Sequence, residues 1–266
     1  MASNKREREL ARMRAERQAA RRAAEEQRRK QRRNSVLAGV AALSVVAVVV
    51  AIALVAGLGG TDKKDTTVSG TFGNVGGTGS CSYTKTGDAA GKVDGTPPTS
   101  KVRNTGTQKV TFETTQGTVT ADLLTSKAPC TINSLAFLSQ QGYFDNTPCH
   151  RLTTSGIYVL QCGDPTGKGN GGPGYQFPDE NLQGATYPKG TLAMANAGAG
   201  TNGSQFFLVY KDSPLPPNYT MFGTISGGKD ELLAIAKAGA VDEKGKTAGD
   251  GKPRKPVTIT TATLLK

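Results

Sequence analysis

The 266-residue chain has no tryptophan, one histidine, four cysteines and an aromatic content of 6%. Each shortage removes a class of function. A metal site needs several donors converging on one ion, which the lone His150 cannot supply; neither a metal nor a cofactor is expected. No G-x-S-x-G run is present to set up a strained serine nucleophile. Cys149 and His150 are adjacent, and neighbours on a strand point to opposite faces, so they cannot act as a nucleophile and its base. A hydrophobic fraction of 36% is too small for a bundle of membrane spans of ~20 apolar residues each. Acidic residues are also scarce, 21 against 33 Lys and Arg, for a formal charge of +12.

That charge is unevenly placed. Residues 1–33 hold 13 basic and 5 acidic side chains, a local +8, so only +4 is spread over everything after. So mild an excess is no polyanion signature, and nucleic acid is not expected as a partner.

One long apolar run is present. Ser35 to Leu58 carries no charge and, at ~1.5 Å per residue, is long enough to cross a ~30 Å hydrocarbon core. It reads as a single transmembrane helix. Arg28, Arg29, Lys30, Arg32 and Arg33 precede it, while Asp62, Lys63, Lys64 and Asp65 nearly cancel after it. The positive-inside rule therefore puts the N-terminus in the cytoplasm and residues 60–266 outside the cell membrane. Ala51-Ile52-Ala53 imitates a signal-peptide cleavage site, but the run far exceeds a ~7 to 15 residue signal core. The arm before it, residues 1–34, is rich in helix-forming Arg, Glu, Ala and Gln, with Leu10 and Met13 the only large apolar residues between Asn4 and Arg33. It is expected as a basic cytoplasmic helix, either held against anionic membrane lipid at about 1 kcal/mol per basic residue or solvated as an orientation signal.

Cys81, Cys130, Cys149 and Cys162 all fall on the outer side, where oxidation is permitted, and four thiols allow three pairings. The alternative is four buried free thiols. Residues 59–107 are dense in Gly, Thr, Ser and Pro with almost no apolar periodicity, and read as an extracytoplasmic tether that Cys81 and Tyr83 dock in part.

From residue 108 to 266 the pattern is that of a folded domain. Val110 and Phe112, a turn at Thr115-Gln116-Gly117, then Val119, Ala121 and Leu123 predict a β-hairpin. Pro129 opens a helix whose apolar face is Ile132, Leu135, Ala136 and Leu138 with Thr131, ended by Gly142. Short strands between Gly and Pro loops fill 147–225, Asp230 to Ala238 predicts a second helix, and Val257 and Ile259 alternate in a final strand. The fold class expected is mainly β: a closed eight-stranded antiparallel barrel capped by two helices, preceded by the transmembrane helix.

Gly167-Lys168-Gly169-Asn170-Gly171-Gly172 matches the dinucleotide fingerprint G-x-G-x-x-G. That motif needs a helix opening directly after it, and Pro173 and Pro178 stand there instead, so it reads as a mobile surface loop.

Four runs carry more information: FDNTPCHRL, LQCGDPTGKGNGGPGYQFPDE, GTLAMANAGAGTNGSQFFLVY and YTMFG. Together and in this order they resemble the cyclophilins, in the branch of membrane-anchored actinobacterial peptidyl-prolyl isomerases, over roughly residues 108–266. The resemblance implies an eight-stranded barrel with two helices, X-Pro isomerase activity on proline-containing polypeptides, and often inhibition by cyclosporin. It implies Arg151 as the catalytic residue, with His150 beside it in the substrate-binding set. Tyr158 and Val159 stand at the apolar pair before the site glutamine, Gln161; Ala195, Asn196 and Ala197 at the backbone-binding stretch; Gln205 and Phe207 at a polar contact and the floor of the proline pocket; Leu215 and Tyr219 at its rim. A pure binding module for proline-containing segments is the alternative, and Arg151 speaks against it, since such a module needs no donor aimed at the proline nitrogen.

The chain departs from the family pattern in four places. Nine residues rather than seven separate Arg151 from Gln161, so TTSGIY makes a longer connection. Cys149 replaces the usual aromatic before His150, and Cys162 a glycine after Gln161. If these two lie on adjacent antiparallel strands they face each other and form a disulfide beside the site, leaving Cys81 to staple the tether to Cys130. Pro216-Pro217 lies in the rim loop, where it alters any cyclosporin contact.

Overall fold

The structure is a computed structural model and describes residues 79–265. The basic arm, the apolar span and the first part of the tether lie outside the described residues. Among the described residues no helix is long and apolar enough to cross a membrane.

In chain order the strands are β1 (Thr84–Lys85), β2 (Gln108–Thr114), β3 (Gly117–Leu123), β4 (Thr147–Pro148), β5 (Arg151–Thr153), β6 (Val159–Cys162) and β7 (Tyr175–Gln176). They continue with β8 (Thr191–Met194), β9 (Phe206–Val209), β10 (Met221–Gly227), β11 (Ala240–Val241), β12 (Thr247–Ala248), β13 (Asp250–Pro253) and β14 (Thr258–Leu265). Helix α1 spans Pro129–Gln140 and α2 spans Lys229–Ala238. The two helices, the β2–β3 hairpin and the final strand stand where the apolar spacing predicts them.

β1 pairs only with β7, and the other twelve strands form one sheet in the order β12-β11-β13-β5-β6-β9-β8-β10-β3-β2-β14-β4. A closed eight-stranded barrel is therefore not what the ladder shows: the sheet curls, but its hydrogen-bonded order ends at β12 and β4. Two features make the difference. Register shifts in β10 and β14 break the long strands, and the segment after α2 adds β11, β12 and β13 beyond β5.

Strand alternation sorts the side chains. Val110, Phe112, Ala121, Leu152, Leu160, Leu192, Phe206 and Leu208 turn into one core cluster, where Phe112 stacks on Phe206 at 4.9 Å and Phe144 meets Phe206 edge-on at 5.9 Å. Helix α1 adds Ile132, Leu135 and Leu138, and α2 adds Leu232 and Ile235. No side chain of its own caps α1. Instead the Glu180 carboxylate accepts from the backbone N–H groups of Cys130 (3.0 Å) and Thr131 (2.8 Å), which satisfies two of the orphan donors of the first turn with a favourable charge.

Residues 79–107 run along the domain. Cys81 is bonded to Cys130, the Tyr83 hydroxyl donates to the Cys130 carbonyl at 2.7 Å, and Val102 is buried. The second disulfide joins Cys149 to Cys162, so both pairings are those expected, and no cysteine among the described residues is free.

Candidate active site

Pairing register builds the site. Arg151 on β5 lies opposite Gln161 on β6, Gln161 opposite Phe207 on β9, and Phe207 opposite Ala193 on β8. Residues in one register row share a face, so Arg151, Gln161 and Phe207 come to one side of the sheet while Leu152, Leu160 and Leu208 fill the core on the other. Two strand spacings of ~4.8 Å put the backbones of Arg151 and Phe207 about 10 Å apart, roughly the span of three extended residues.

A chain of side-chain hydrogen bonds runs along this row. Arg151 Nη1 donates to Gln161 Oε1 (3.3 Å), Gln161 Nε2 to Gln205 Oε1 (2.9 Å), and Gln205 Nε2 to the Gly171 carbonyl (2.9 Å). Because each link fixes which amide atom donates, the two glutamines are oriented by their neighbours. At the other end Arg151 Nε and Nη2 donate to the two carboxylate oxygens of Asp250 at 2.8 and 2.6 Å. The pair raises the Arg151 pKa and lowers that of Asp250, chiefly through these hydrogen bonds. Three of the five guanidinium N–H groups are thereby used, and two remain, one on each terminal nitrogen.

Next to this row lies a second apolar cluster, separate from the core: Val159, Tyr187, Ala193, Phe207 and Val209, with Ile157, Ala195, Leu215 and Tyr219 packed against it. The Phe207 ring meets Tyr219 edge-on at 5.5 Å and is tilted against Tyr187 at 6.2 Å. The Tyr187 hydroxyl donates to the Tyr219 carbonyl (2.8 Å) and accepts from the Tyr219 N–H (2.9 Å), which holds that rim residue in place.

Tyr158 is not part of this cluster. It packs against the main core, edge-on to Tyr210 at 6.0 Å with Lys211 Nζ 4.3 Å over its ring. The extra residues between β5 and β6 are the cause: with Val159 facing the site, alternation sends Tyr158 to the other face and brings Ile157 in its place. Ile157 and Tyr187 were not among the expected residues; a strict period-2 reading backwards from Gln161 finds the first, and nothing in the local pattern marks the second.

Asn196 stands at the edge of the cluster with its side chain committed to the loop, Nδ2 donating to the Asn218 carbonyl at 2.8 Å. Ala195 N–H donates to the Gln205 carbonyl (2.9 Å) and Ala197 N–H to Thr201 Oγ1 (2.8 Å). The backbone N–H and C=O of Asn196 itself have no hydrogen-bond partner among the described residues. The residue is only half-buried, so this pair is free to bond water or a ligand.

The glycine-rich loop has an internal anchor that its composition hides. Buried Asp164 accepts from the Thr166 N–H (2.8 Å) and hydroxyl (2.9 Å), the Gly169 N–H (2.7 Å) and the Gly171 N–H (3.0 Å). Burial alone would raise its pKa, but these donors outweigh burial and hold it below the usual value. No helix follows; the next element is β7. The imidazole of His150 sits beneath this loop, where a Cβ on Gly169 would lie 3.3 Å from it. Both ring nitrogens are buried without a partner among the described residues, and desolvation lowers the His150 pKa, with Asp164 pulling upward and Arg151 downward. The Cys149–Cys162 disulfide joins the residues immediately before His150 and after Gln161. Among the described residues no group of three His, Cys, Asp or Glu is placed to hold a metal ion.

Comparison with known proteins places this geometry. Residues 109–264 match the model of the family described as cyclophilin type peptidyl-prolyl cis-trans isomerase/CLD. The chain is 48% identical over 199 residues to the probable peptidyl-prolyl cis-trans isomerase B of Mycobacterium tuberculosis, covering 69% of this chain and 63% of that protein. It is 47% identical over 194 residues to the protein of the same name in Mycobacterium leprae, covering 67% and 64%. The chain thus spans less than two thirds of either mycobacterial relative. The peptidyl-prolyl cis-trans isomerase-like 1 of Gibberella zeae is 38% identical over 164 residues, 60% of this chain and 96% of that one. Among solved structures, a Cryptosporidium parvum cyclophilin type peptidyl-prolyl cis-trans isomerase superposes with a TM-score of 0.53 at 31% identity, covering 60% of this chain and 99% of that one. The same protein in the presence of the dipeptide Ala-Pro gives a TM-score of 0.52 at 32% identity, with coverage of 59% and 99%.

Proposed function

This chain belongs to the family of cyclophilin-type peptidyl-prolyl cis-trans isomerases, and from that premise we propose that it accelerates X-Pro exchange in folding polypeptides with Arg151 as its catalytic residue. The observation that carries the reading is a guanidinium with two uncommitted N–H groups in the same register row as Phe207, which belongs to a separate apolar cluster on that side of the sheet.

A peptide bond resists rotation by ~18 to 20 kcal/mol because the nitrogen lone pair is delocalised into the carbonyl. Twisting breaks that delocalisation and returns the lone pair to the proline nitrogen. An Arg151 N–H can donate to that nitrogen only in the twisted state, which is differential binding of the transition state. Phe207, Val159, Ile157, Leu215 and Tyr219 grip the ring. Gln161 and Gln205 each keep one amide N–H, and Asn196 its backbone pair, for the substrate main chain. No proton moves and no covalent bond changes, in keeping with a site that offers neither nucleophile nor acid–base pair. Uncatalysed exchange takes ~10 to 100 s at 25 °C, so an acceleration of about three decades brings it to roughly 0.01–0.1 s, within the range of ordinary domain folding.

The natural setting follows from the residues before the domain. Ser35 to Leu58 serves as an uncleaved single-pass anchor with a cytoplasmic N-terminus, residues 1–34 meet anionic lipid, and the isomerase domain acts on extracytoplasmic proteins. Two disulfides fit an oxidising compartment. The core strands act as a barrel closed across residues 147–153, where β4 pairs with β14 and β5 with β6. Cyclosporin competes for the Phe207 pocket, with Pro216-Pro217 changing the rim it meets.

The test is the cis-trans exchange rate of an X-Pro peptide with the full chain and Arg151→Ala. Loss of one preorganised donor is expected to cost about 10²- to 10³-fold in kcat/KM. Equal accelerated rates for the two proteins would remove Arg151 from the chemistry, and a wild-type rate no faster than the uncatalysed one would leave a proline-binding module.

A further inference from the structure

We propose that Asp250 is the positioning residue of this site, holding the Arg151 guanidinium in the orientation from which it reaches the proline nitrogen. The proposal rests on the assignment of Arg151 made above.

Asp250 comes from a part of the chain remote from every motif of the site, 99 positions after Arg151. Strand β13 brings it there. Asp250 pairs with Thr153 and Gly251 with Leu152 in antiparallel register, so Arg151 is the same-face diagonal neighbour of Asp250, at a separation that a long arginine spans. The strand is wedged in place by its two flanking glycines. A Cβ on Gly251 would collide with the Val241 carbonyl of β11, and one on Gly249 would lie 3.1 Å from Ser155 Cβ. Gly249-Asp250-Gly251 thus lies close against β11 on one side and against the residues just after β5 on the other, and from there delivers one carboxylate to one guanidinium.

The contact is a two-point fork, Nε to Oδ1 at 2.8 Å and Nη2 to Oδ2 at 2.6 Å. Two parallel hydrogen bonds fix the plane of the guanidinium as well as its position, which a single bond does not. Arg151 Nη1 then meets Gln161 at only 3.3 Å, a weaker hold. The side chains of Arg151 and Asp250 are 41% and 54% exposed, and a pair so wet adds little to folding stability. Its geometric effect is larger: the remaining two N–H groups are left on the edge of the guanidinium away from Asp250. A carboxylate that neutralises a catalytic cation should weaken its electrostatic pull, so the positioning role requires that the gain in orientation outweigh that loss.

The experiment uses the full chain as wild type, Asp250→Ala, Asp250→Asn, Arg151→Ala and Arg151→Ala/Asp250→Ala, with thermal melting as the folding control and X-Pro exchange as the assay. Asp250→Ala is expected to lower kcat about ten- to thirtyfold with KM little changed, about the rotamer freedom regained by an unheld arginine. Asp250→Asn, of the same shape with one acceptor oxygen, is expected to lose nearly as much, and it serves if the alanine variant does not fold. In the Arg151→Ala background removal of Asp250 is expected to change nothing. The Arg151 Nε–H resonance should lose its shift and its slow rotation about Nε–Cζ in both Asp250 variants. Unchanged or faster exchange in the Asp250 variants, with Arg151→Ala still impaired, overturns the positioning role and leaves the Arg151 assignment standing. A further loss in the Arg151→Ala background also overturns it, since Asp250 would then act on something else. Arg151→Ala as active as wild type defeats the underlying assignment instead.

Discussion

Replacing Cys149 and Cys162 together by alanine perturbs the site from inside the sheet without touching any residue that meets substrate. The bond spans 13 positions, and a cross-link closing a loop of that size restricts the unfolded chain by about 3 kcal/mol. Both sulfurs lie in the core cluster, 5% and 1% exposed, so the native state also loses packing. For a domain of this size about 1 kcal/mol corresponds to ~2–4 °C, and the melting temperature should fall by about 6–12 °C. Alanine is the better probe than serine, because a hydroxyl beside Leu160 and Phe206 would add its own burial cost. Activity should fall as well, by a few-fold rather than by decades. Cys149 lies two residues before Arg151 and Cys162 directly follows Gln161, and these two partners face each other in the β5–β6 register. The assay is a melt and an exchange rate on the same samples. A Cys81→Ala/Cys130→Ala protein is the comparison, since reduction of the wild type opens both bonds at once. A double alanine variant melting within about 2 °C of wild type would refute the constraint argument, and recovery of Cys149 and Cys162 in separate peptides from unreduced protein would refute the pairing.

His150 is the only histidine in the chain, so any imidazole titration belongs to it. Its pKa is lowered by burial; the unfolded chain therefore binds its proton first, and stability should be flat above the ordinary value of about 6.5 and decline as pH falls below it, down to the folded pKa. A melting temperature that does not fall between pH 7 and 5, or an imidazole proton shift titrating at the ordinary value, would contradict this. Asp164→Ala removes the one acceptor shared by Thr166, Gly169 and Gly171 and should cost about 3 kcal/mol or more. It should also slow exchange catalysis, because the Gly171 carbonyl anchors Gln205; amide hydrogen exchange at Gly169 and Gly171 that stays as slow as in wild type would count against the loop anchor.

The parts legible from sequence are those set by local chemistry. The period-2 runs of β2 and β3, Pro129 opening α1 and the alternation of Val257 and Ile259 need only near neighbours to be recognised. Compartment alone predicts oxidised cysteines but allows three pairings; Cys149–Cys162 follows only if those residues lie on adjacent antiparallel strands, as the family resemblance implies, with Cys81–Cys130 then left over. Tyr158 was misplaced for the same local reason: a motif spacing assigned it to the pocket, while strand alternation, counted from Val159 through the longer β5–β6 connection, turns it to the core. Asp250 and Tyr187 were out of reach. Each acts through a register or a hydrogen bond that joins segments far apart in the chain, and a lone Asp between two glycines looks like any surface turn.

Residues 79–107 carry the last consequence. Composition makes them a tether, yet Thr86 N–H donates to the Gly174 carbonyl and Ala90 N–H to the Gly172 carbonyl, at 2.9 and 2.8 Å. Thr84 and Lys85 pair with Gln176 and Tyr175. The approach is close enough that Gly174, at φ +80°, has no room for a side chain: a Cβ there would lie 2.8 Å from the Gly87 carbonyl. These contacts brace the same glycine-rich loop whose Gly171 carbonyl ends the hydrogen-bond chain from Arg151. The brace is itself tied down by Cys81–Cys130, a bond spanning 49 positions and worth about 4 kcal/mol by loop closure. The family match begins only at residue 109, so a fragment cut there would keep every residue of the catalytic row and lose the strap behind it. Such a fragment should bind proline peptides with a looser Gln205 and a lower kcat than a chain that includes Cys81, and equal kcat for the two would reduce residues 79–107 to the spacer their composition suggests.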